Sequence, residues 1–230
     1  MVERFVTYQD LPPVMQKEEV KPYWDLLEKQ KAALFGKRLF DIVVSALILL
    51  ILSPLFLLLA LAIKLDSRGP VFYRQVRVGR YGQDFKIFKF RTMVQDADRI
   101  GLSLTTGGDP RITRVGRLIR KCRLDEFSQI LNVLSGTMSL VGSRPEVRRY
   151  VDAYRPEYLA TLLVRPGITA TASIEFKDED ELLNSGGDPE QIYIERILPE
   201  KMRYNLEYLR HISVWSDLKI MFRTVWAVWK

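Results

Sequence analysis

The chain has one cysteine and one histidine in 230 residues. A lone Cys122 excludes an intrachain disulfide, and with His211 as its only companion it offers no ligand set for zinc. Acid is missing from one stretch: from 111 to 123 the chain carries Arg111, Arg114, Arg117, Arg120, Lys121 and Arg123, with no Asp or Glu among them. Charge of either sign is missing from another, the 22 residues 42–63. A cleavable leader is not expected either, because residues 1–36 are polar and mixed in charge.

What is present begins with a basic excess, 35 Lys and Arg against 28 acids, for a formal charge of +7. Nucleic acid, an anionic membrane surface and phosphorylated substrates all suit that balance. The length allows one domain with a full core, or one with a small appendage. Residues 1–36 read as the appendage. Leu11-Pro12-Pro13 breaks the chain, and residues 21–35 form an amphipathic pattern on Trp24, Leu27, Leu34 and Phe35. That helix is open to three partners: the membrane, the rest of the domain, or a second copy of the chain in a homodimer.

The uncharged stretch 42–63 is long enough to cross a bilayer core as one straight helix. Ser53-Pro54 falls at its centre, where proline removes a backbone hydrogen bond and kinks a helix. Both flanks are basic, Lys37 and Arg38 before it and Lys64 and Arg68 after, so the positive-inside bias selects no direction. Two arrangements remain. One is a proline-kinked span; the other is a helix that enters, bends at Ser53-Pro54 and returns to the same face.

Residues 71–78 and 84–90 are rich in β-branched and aromatic side chains and read as a hairpin around Gly79-Arg80-Tyr81-Gly82. Lys89 and Arg91, two apart, are expected to point to one side and grip phosphate, unless they are merely a solvated basic face. Residues 102–110 form a Thr-, Gly- and Pro-rich loop. Val115, Leu118, Ile119 and Cys122 then share one helical face, which assigns Cys122 to packing. Leu124, Phe127, Ile130, Leu131 and Leu134 form a second face out of phase with the first, so a helix breaks near Arg123 and another begins at Asp125-Glu126.

A first helical turn offers free N–H groups and a positive dipole end. The basic run before it favours ionised carboxylates. An ionised Asp125 is placed there to act as a nucleophile, with Glu126 beside it to hold a metal. Equally, acids in a first turn are ordinary helix starters. Arg144, in Val141-Gly142-Ser143-Arg144-Pro145, is presented by a turn and suits bidentate phosphate binding, and Arg165 repeats the Arg-Pro theme. Residues 177–191, acidic and Gly-containing, read as a lid or a solvated loop. Residues 215–229 place Trp215, Leu218, Phe222, Val225, Trp226 and Trp229 on one face, as in a helix lying on a membrane.

From about Lys37 onward the chain resembles the bacterial sugar transferases, small monotopic phosphoglycosyl transferases. Lys37-Arg38-Leu39-Phe40-Asp41, Ser53-Pro54, Lys89-Phe90-Arg91-Thr92-Met93 and Asp109-Pro110-Arg111-Ile112-Thr113-Arg114-Val115-Gly116-Arg117 carry the resemblance. Leu124-Asp125-Glu126, Asn132-Val133-Leu134, Val141-Gly142-Ser143-Arg144-Pro145, Val164-Arg165-Pro166-Gly167-Ile168-Thr169 and Asp217-Leu218-Lys219-Ile220 continue it in the same order.

The resemblance implies an α+β, mainly helical, monotopic membrane protein with a kinked re-entrant helix, a small β-hairpin and interfacial amphipathic helices. Its expected parts are the appendage 1–36, the re-entrant helix 37–69 and a catalytic domain 70–230. The implied reaction moves a phosphosugar from a UDP-sugar to a polyprenyl phosphate such as undecaprenyl phosphate. Asp125 is the implied nucleophile and Glu126 the partner of Mg2+. Lys89, Arg91, Arg117, Arg144 and Arg165 are the expected phosphate and nucleotide contacts. The implied place is the bacterial inner membrane, with the site on its cytoplasmic face, lipid as a partner and nucleic acid not.

The chain departs from the family pattern at Thr137, at Ser143, along Ala170-Thr171-Ala172-Ser173 and near Asn205. These positions lie outside the Asp125-Glu126 pair and bear on the choice of sugar. A membrane-anchored scaffold that keeps the fold without turnover is the alternative they leave open.

Overall fold

The computed structural model describes residues 5–97, 109–176 and 188–229, the side chains of 228 and 229 excepted. Most of the expected 102–110 loop, the greater part of the 177–191 stretch and the Trp229 side chain lie outside the described residues.

Two 3-10 turns, Tyr8–Asp10 and Pro13–Met15, lead into α1 (Lys21–Lys29), and α2 (Lys31–Asp66) follows after a single residue, Gln30. The amphipathic pattern of 21–35 is therefore divided between two helices. Of the partners open to it, the N-terminal segment takes the body of the protein. Leu11, Met15, Val20, Trp24 and Leu27 are buried in a core shared with Val78, Leu163, Leu198 and Leu209.

α2 is helical throughout its 36 residues, Pro54 included, and Ser53 Oγ donates to the Leu50 carbonyl at 2.8 Å. It is the one helix among the described residues long and apolar enough to cross a membrane. Its middle is bare: Leu47, Leu50, Ile51, Leu57 and Leu58 are exposed.

Both ends of α2 are fastened to the same body. At the N-terminal end, Lys37 is 6% exposed and Asp217 fully buried. Lys37 Nζ donates to Asp217 Oδ2 and, at 2.9 Å, to the Val141 carbonyl. Asp41 accepts from Ser139 Oγ (2.8 Å) and the Leu140 amide (3.3 Å), while Arg38 Nη1 donates to the Val133 carbonyl at 2.8 Å. Lys37 and Arg38 are thus not the solvent-facing flank that the positive-inside reading took them for. Buried charge of this kind is stable only when paired and hydrogen-bonded.

At the C-terminal end, Arg91 Nη2 donates to the carbonyl (2.8 Å) and Oγ (3.0 Å) of Ser67, the residue closing the helix, and Arg91 Nη1 donates to the Arg68 carbonyl (2.7 Å). Arg91 thus holds the backbone just past the last turn of α2.

β1 (Phe72–Val78) and β2 (Asp84–Phe90) form an antiparallel hairpin from Phe72↔Phe90 to Val78↔Asp84. The turn holds Tyr81 and Gly82 in the left-handed region (φ 57 and 71), which matches the twist of a hairpin. α3 (Arg114–Lys121) is capped by Thr113 Oγ1, which accepts from the Gly116 amide at 2.9 Å. A Cβ at Gly116 would sit 2.0 Å from the Thr92 carbonyl oxygen, so glycine lets α3 lie directly on the exit of β2.

A six-residue 3-10 helix, Leu124–Gln129, runs into α4 (Ile130–Ser135). β3 (Ser139–Val141) pairs in parallel with β4 (Gly167–Thr169). Between those strands lie α5 (Arg148–Asp152) and the 3-10 helix Pro156–Leu163. α6 (Thr171–Glu175), α7 (Pro189–Ile192), a π-helical stretch Tyr193–Ile197, α8 (Leu198–Arg210) and α9 (Val214–Trp229) complete the chain.

α9 turns Asp217 and Ile220 inward and leaves Trp215, Leu218, Phe222, Val225 and Trp226 exposed, Trp215 by 76%. The apolar side of this helix faces outward, as an interfacial helix requires.

Smaller clusters position the site. Ile87, Val133, Met138, Leu140 and Ile220 pack together, as do Leu59, Ile63, Phe90 and Ile119. Ile87 and Phe90 of β2 belong to different clusters, and Lys89 lies between them in sequence.

Candidate active site

The chain breaks at Arg123, as the change of hydrophobic phase predicts. Its backbone is left-handed (φ 52), and the next residues start a 3-10 rather than an α-helix. Ser128 Oγ donates to the Asp125 carbonyl at 3.2 Å inside this turn. The break separates α3 from α4 and leaves Asp125 and Glu126 half-buried on the first turn after it.

The two carboxylates have different surroundings. Glu126 Oε1 accepts from Arg144 Nη2 at 2.6 Å and from Lys89 Nζ at 3.1 Å. Burial pushes the Glu126 carboxyl up, but Arg144 and Lys89 more than offset it and hold the group well below the usual carboxylate range. The Asp125 carboxylate takes no hydrogen bond from another described residue. Burial pushes its carboxyl above the ordinary value, and the charge of Glu126 adds to the rise; Lys89 and Arg120 pull the other way. The basic run was expected to favour ionisation of the pair as a whole. Instead the strongest cations come from β2 and the turn after β3, and they act on Glu126.

Lys89 and Arg144, 55 positions apart, are thus brought together on one acid. Arg91 is not with them. It is 5% exposed, and its guanidinium is occupied by the end of α2, so the shared phosphate grip expected of Lys89 and Arg91 is absent. Arg165 Nε donates to the Gly136 carbonyl at 2.6 Å, at the end of α4. Arg117 is exposed on α3, and the acid in its electrostatic reach is Asp66. Cys122 is exposed as well, and Leu118 is 61% exposed. The predicted apolar face of α3 is narrower than the spacing implies, because the short helix packs only through Val115, Gly116 and Ile119.

Sequence reasoning passed over two residues of this region. Arg120 Nε donates to Thr92 Oγ1 at 2.9 Å and acts electrostatically on Asp125. Its signal was submerged in the run of like charges. Asn132 is buried on α4; its Oδ1 accepts from the Phe88 amide (2.8 Å), and its Nδ2 donates to the Lys86 carbonyl (3.0 Å). It fills the open edge of β2 next to Lys89 and so positions that lysine. Asn132-Val133-Leu134 was visible as a motif, without a role.

The residues fit the magnesium ion that the resemblance implies. Among the described residues no three His, Cys, Asp or Glu side chains come together. Mg2+ is commonly held by only one or two carboxylates, with substrate phosphates and water supplying the rest. Among the described residues no other residue donates to the Asp125 carboxylate, and both hydrogen bonds to the Glu126 carboxylate fall on Oε1, none on Oε2.

The bacterial sugar transferase family model matches residues 32–230. A UDP-N-acetylgalactosamine-undecaprenyl-phosphate N-acetylgalactosaminephosphotransferase of Aeromonas hydrophila is 39% identical over 194 residues, 83% of this chain and 43% of its own. An undecaprenyl-phosphate glucose phosphotransferase of Komagataeibacter xylinus is 40% identical over 231 residues, 97% of this chain and 39% of its own. A UDP-glucose:undecaprenyl-phosphate glucose-1-phosphate transferase of Caulobacter vibrioides is 40% identical over 219 residues, 94% of this chain and 77% of its own. The chain spans less than half the length of the first two relatives.

Proposed function

The chain belongs to the bacterial sugar transferase family, and from that premise we propose that it moves a sugar 1-phosphate from a UDP-sugar to polyprenyl phosphate. The observation that carries this reading is the asymmetry of the pair. Glu126 is held ionised by Lys89 and Arg144, while Asp125 is left unengaged beside it.

In the first step an Asp125 carboxylate oxygen attacks the sugar-bearing phosphorus. An Asp–phosphosugar bond forms, the bond from that phosphorus to the bridging oxygen breaks, and UMP leaves with the electron pair. In the second step a phosphate oxygen of the polyprenyl acceptor attacks the same phosphorus. Asp125 is released, and polyprenyl-diphosphate-sugar leaves. Two displacements let a water-soluble donor and a lipid acceptor use one site in turn. Lys89, Arg144 and Arg120 offset charge that builds on the transferring phosphoryl group. Glu126 and Asp125 would hold Mg2+, which supplies further neutralisation of the diphosphate.

A polyprenyl acceptor requires a site at bilayer height, and α2 supports a re-entrant placement. At 1.5 Å per residue a straight helix of its length spans about 54 Å, against a hydrocarbon core of about 30 Å. Yet Lys37 near one end and Asp66 at the other are bonded to the same body, through Asp217 and the Val115 amide. The bare apolar middle contains Ser53-Pro54, and the exposed face of α9 offers a second lipid contact. In this reading the catalytic residues stay on one side of the membrane, which we assign to the cytoplasmic face of the inner membrane, where the UDP-sugar donor would be met. UMP release from a panel containing UDP-glucose and UDP-N-acetylgalactosamine, dependent on polyprenyl phosphate and lost in Asp125→Asn, tests the activity. No release from any donor by the native chain would count against it.

A further inference from the structure

The activity leaves unused a face of α3. Arg114, Arg117 and Lys121 are exposed at i, i+3 and i+7, and Leu118 stands exposed among them. No ion pair among the described residues involves these three cations. Asp66, in electrostatic reach of Arg114 and Arg117, is already engaged by the Val115 amide at 2.9 Å. That last bond also fixes where the face lies. Asp66 ends α2, so α3 begins where the apolar helix stops. The final turns of α2 expose Leu61 and Leu65, with Lys64 and Arg68 exposed beside and after them.

We propose that the outer face of α3, with Lys64 and Arg68, is a docking surface for the headgroups of anionic phospholipids. Its occupant follows from charge and depth. A cationic face meeting an apolar helix, its neighbouring acid Asp66 already engaged by the Val115 amide, lies level with lipid phosphates, and Leu118 on it suits the acyl boundary rather than a nucleic acid groove. Long cationic side chains reach the phosphates while their stems stay against apolar surface. Zwitterionic headgroups carry phosphate but no net charge, so the surface favours anionic lipid. The inner side of the same helix carries Arg120, which bonds Thr92 and acts on Asp125. Anchoring the outer side holds the site at headgroup height. The inference rests on the membrane placement of α2 given above.

Cys122, the lone cysteine and exposed at the end of α3, takes a single fluorescent donor for the test. The labelled full chain is incorporated into phosphatidylcholine–phosphatidylglycerol vesicles carrying an acceptor dye on one headgroup or the other. Flotation checks incorporation, and energy transfer reads the lipid beside α3.

The native chain is expected to show about a fivefold local excess of phosphatidylglycerol, the factor that attraction of even one cation to an anionic surface supplies. The excess should vanish in Lys64→Gln/Arg68→Gln/Arg114→Gln/Arg117→Gln/Lys121→Gln. It should also vanish for the native chain in about 1 M salt, where the screening length is about 3 Å. That second arm does not depend on a variant folding. Flotation with equal transfer to both lipids would overturn the headgroup surface alone. Failure to float with any vesicle would overturn the membrane placement, and this surface with it.

Discussion

Arg144 Nη2 lies 2.6 Å from Glu126 Oε1, and the same oxygen takes Lys89 Nζ at 3.1 Å. One acid therefore ties together β2, the turn after β3 and the 3-10 helix that bears Asp125. The pairing orders the two cations before substrate arrives, so little reorganisation is needed when phosphoryl charge develops.

Removing one of these cations should slow transfer more than it weakens the fold. Arg144→Gln is expected to lower the rate of UMP release by about 100-fold or more, in the range seen on deleting one preorganised donor to a developing charge. Thermal unfolding should move little, because both side chains are partly exposed. An unchanged rate would remove Arg144 from the reaction.

Asp125 sets the acid limb of the pH profile. Its carboxyl titrates above its ordinary value of about 3.9. Below its pKa it is protonated and cannot attack, so the rate of UMP release should rise with pH through that raised value and then level. Glu126 stays ionised across the limb, because Arg144 and Lys89 hold it low. In Glu126→Gln a like charge is lost and two cations are freed, both favouring ionised Asp125. The limb of the residual activity should therefore move to lower pH. Movement to higher pH would contradict the assignment.

The pair Lys37 and Asp217 should behave as a buried charge pair. Lys37→Met leaves Asp217 buried without its cation and is expected to cost about 3–5 kcal/mol. Lys37→Met/Asp217→Leu, which removes both charges, should cost much less. Denaturant unfolding in detergent measures the cycle, with Asp217→Leu as the other single variant, and single losses that simply add in the double variant would show that the pair is not coupled.

Asn132→Ala should act on both stability and rate. It leaves the Phe88 amide and Lys86 carbonyl of β2 without their side-chain partner, at about 1–3 kcal/mol for a buried group left unsatisfied. Loosening β2 also loosens Lys89. A variant as stable as the native chain but slower would assign Asn132 to positioning Lys89 alone.

Local pattern told most about local structure. Alternating aromatic and β-branched residues located β1 and β2 within a residue, and the change of hydrophobic phase located the break at Arg123. The outward apolar face of the last helix was legible from Trp215 to Trp226. Less legible were the destinations of charged side chains, which depend on distant contacts. Lys37 and Arg38 read as a membrane flank, yet Lys37 meets Asp217, 180 positions away. Arg91 read as a phosphate ligand beside Lys89, but the carbonyls closing α2 had first claim on it. Cys122 read as core because periodicity cannot say which turns of a short helix find a neighbour. Residues 1–36 read as an appendage, and nothing local marks Leu11, Met15 and Trp24 among them as parts of a distant core.

The central claim, a phosphosugar carried on Asp125, is tested most directly by the intact mass of the protein. The native chain and Asp125→Asn are incubated with magnesium and the UDP-sugar panel, without acceptor. The native chain should gain the mass of one phosphosugar with at least one donor, lose it on addition of polyprenyl phosphate, and show no gain in Asp125→Asn. UMP release by the native chain that proceeds at full rate in Asp125→Asn, or an adduct that persists in that variant, would contradict the account.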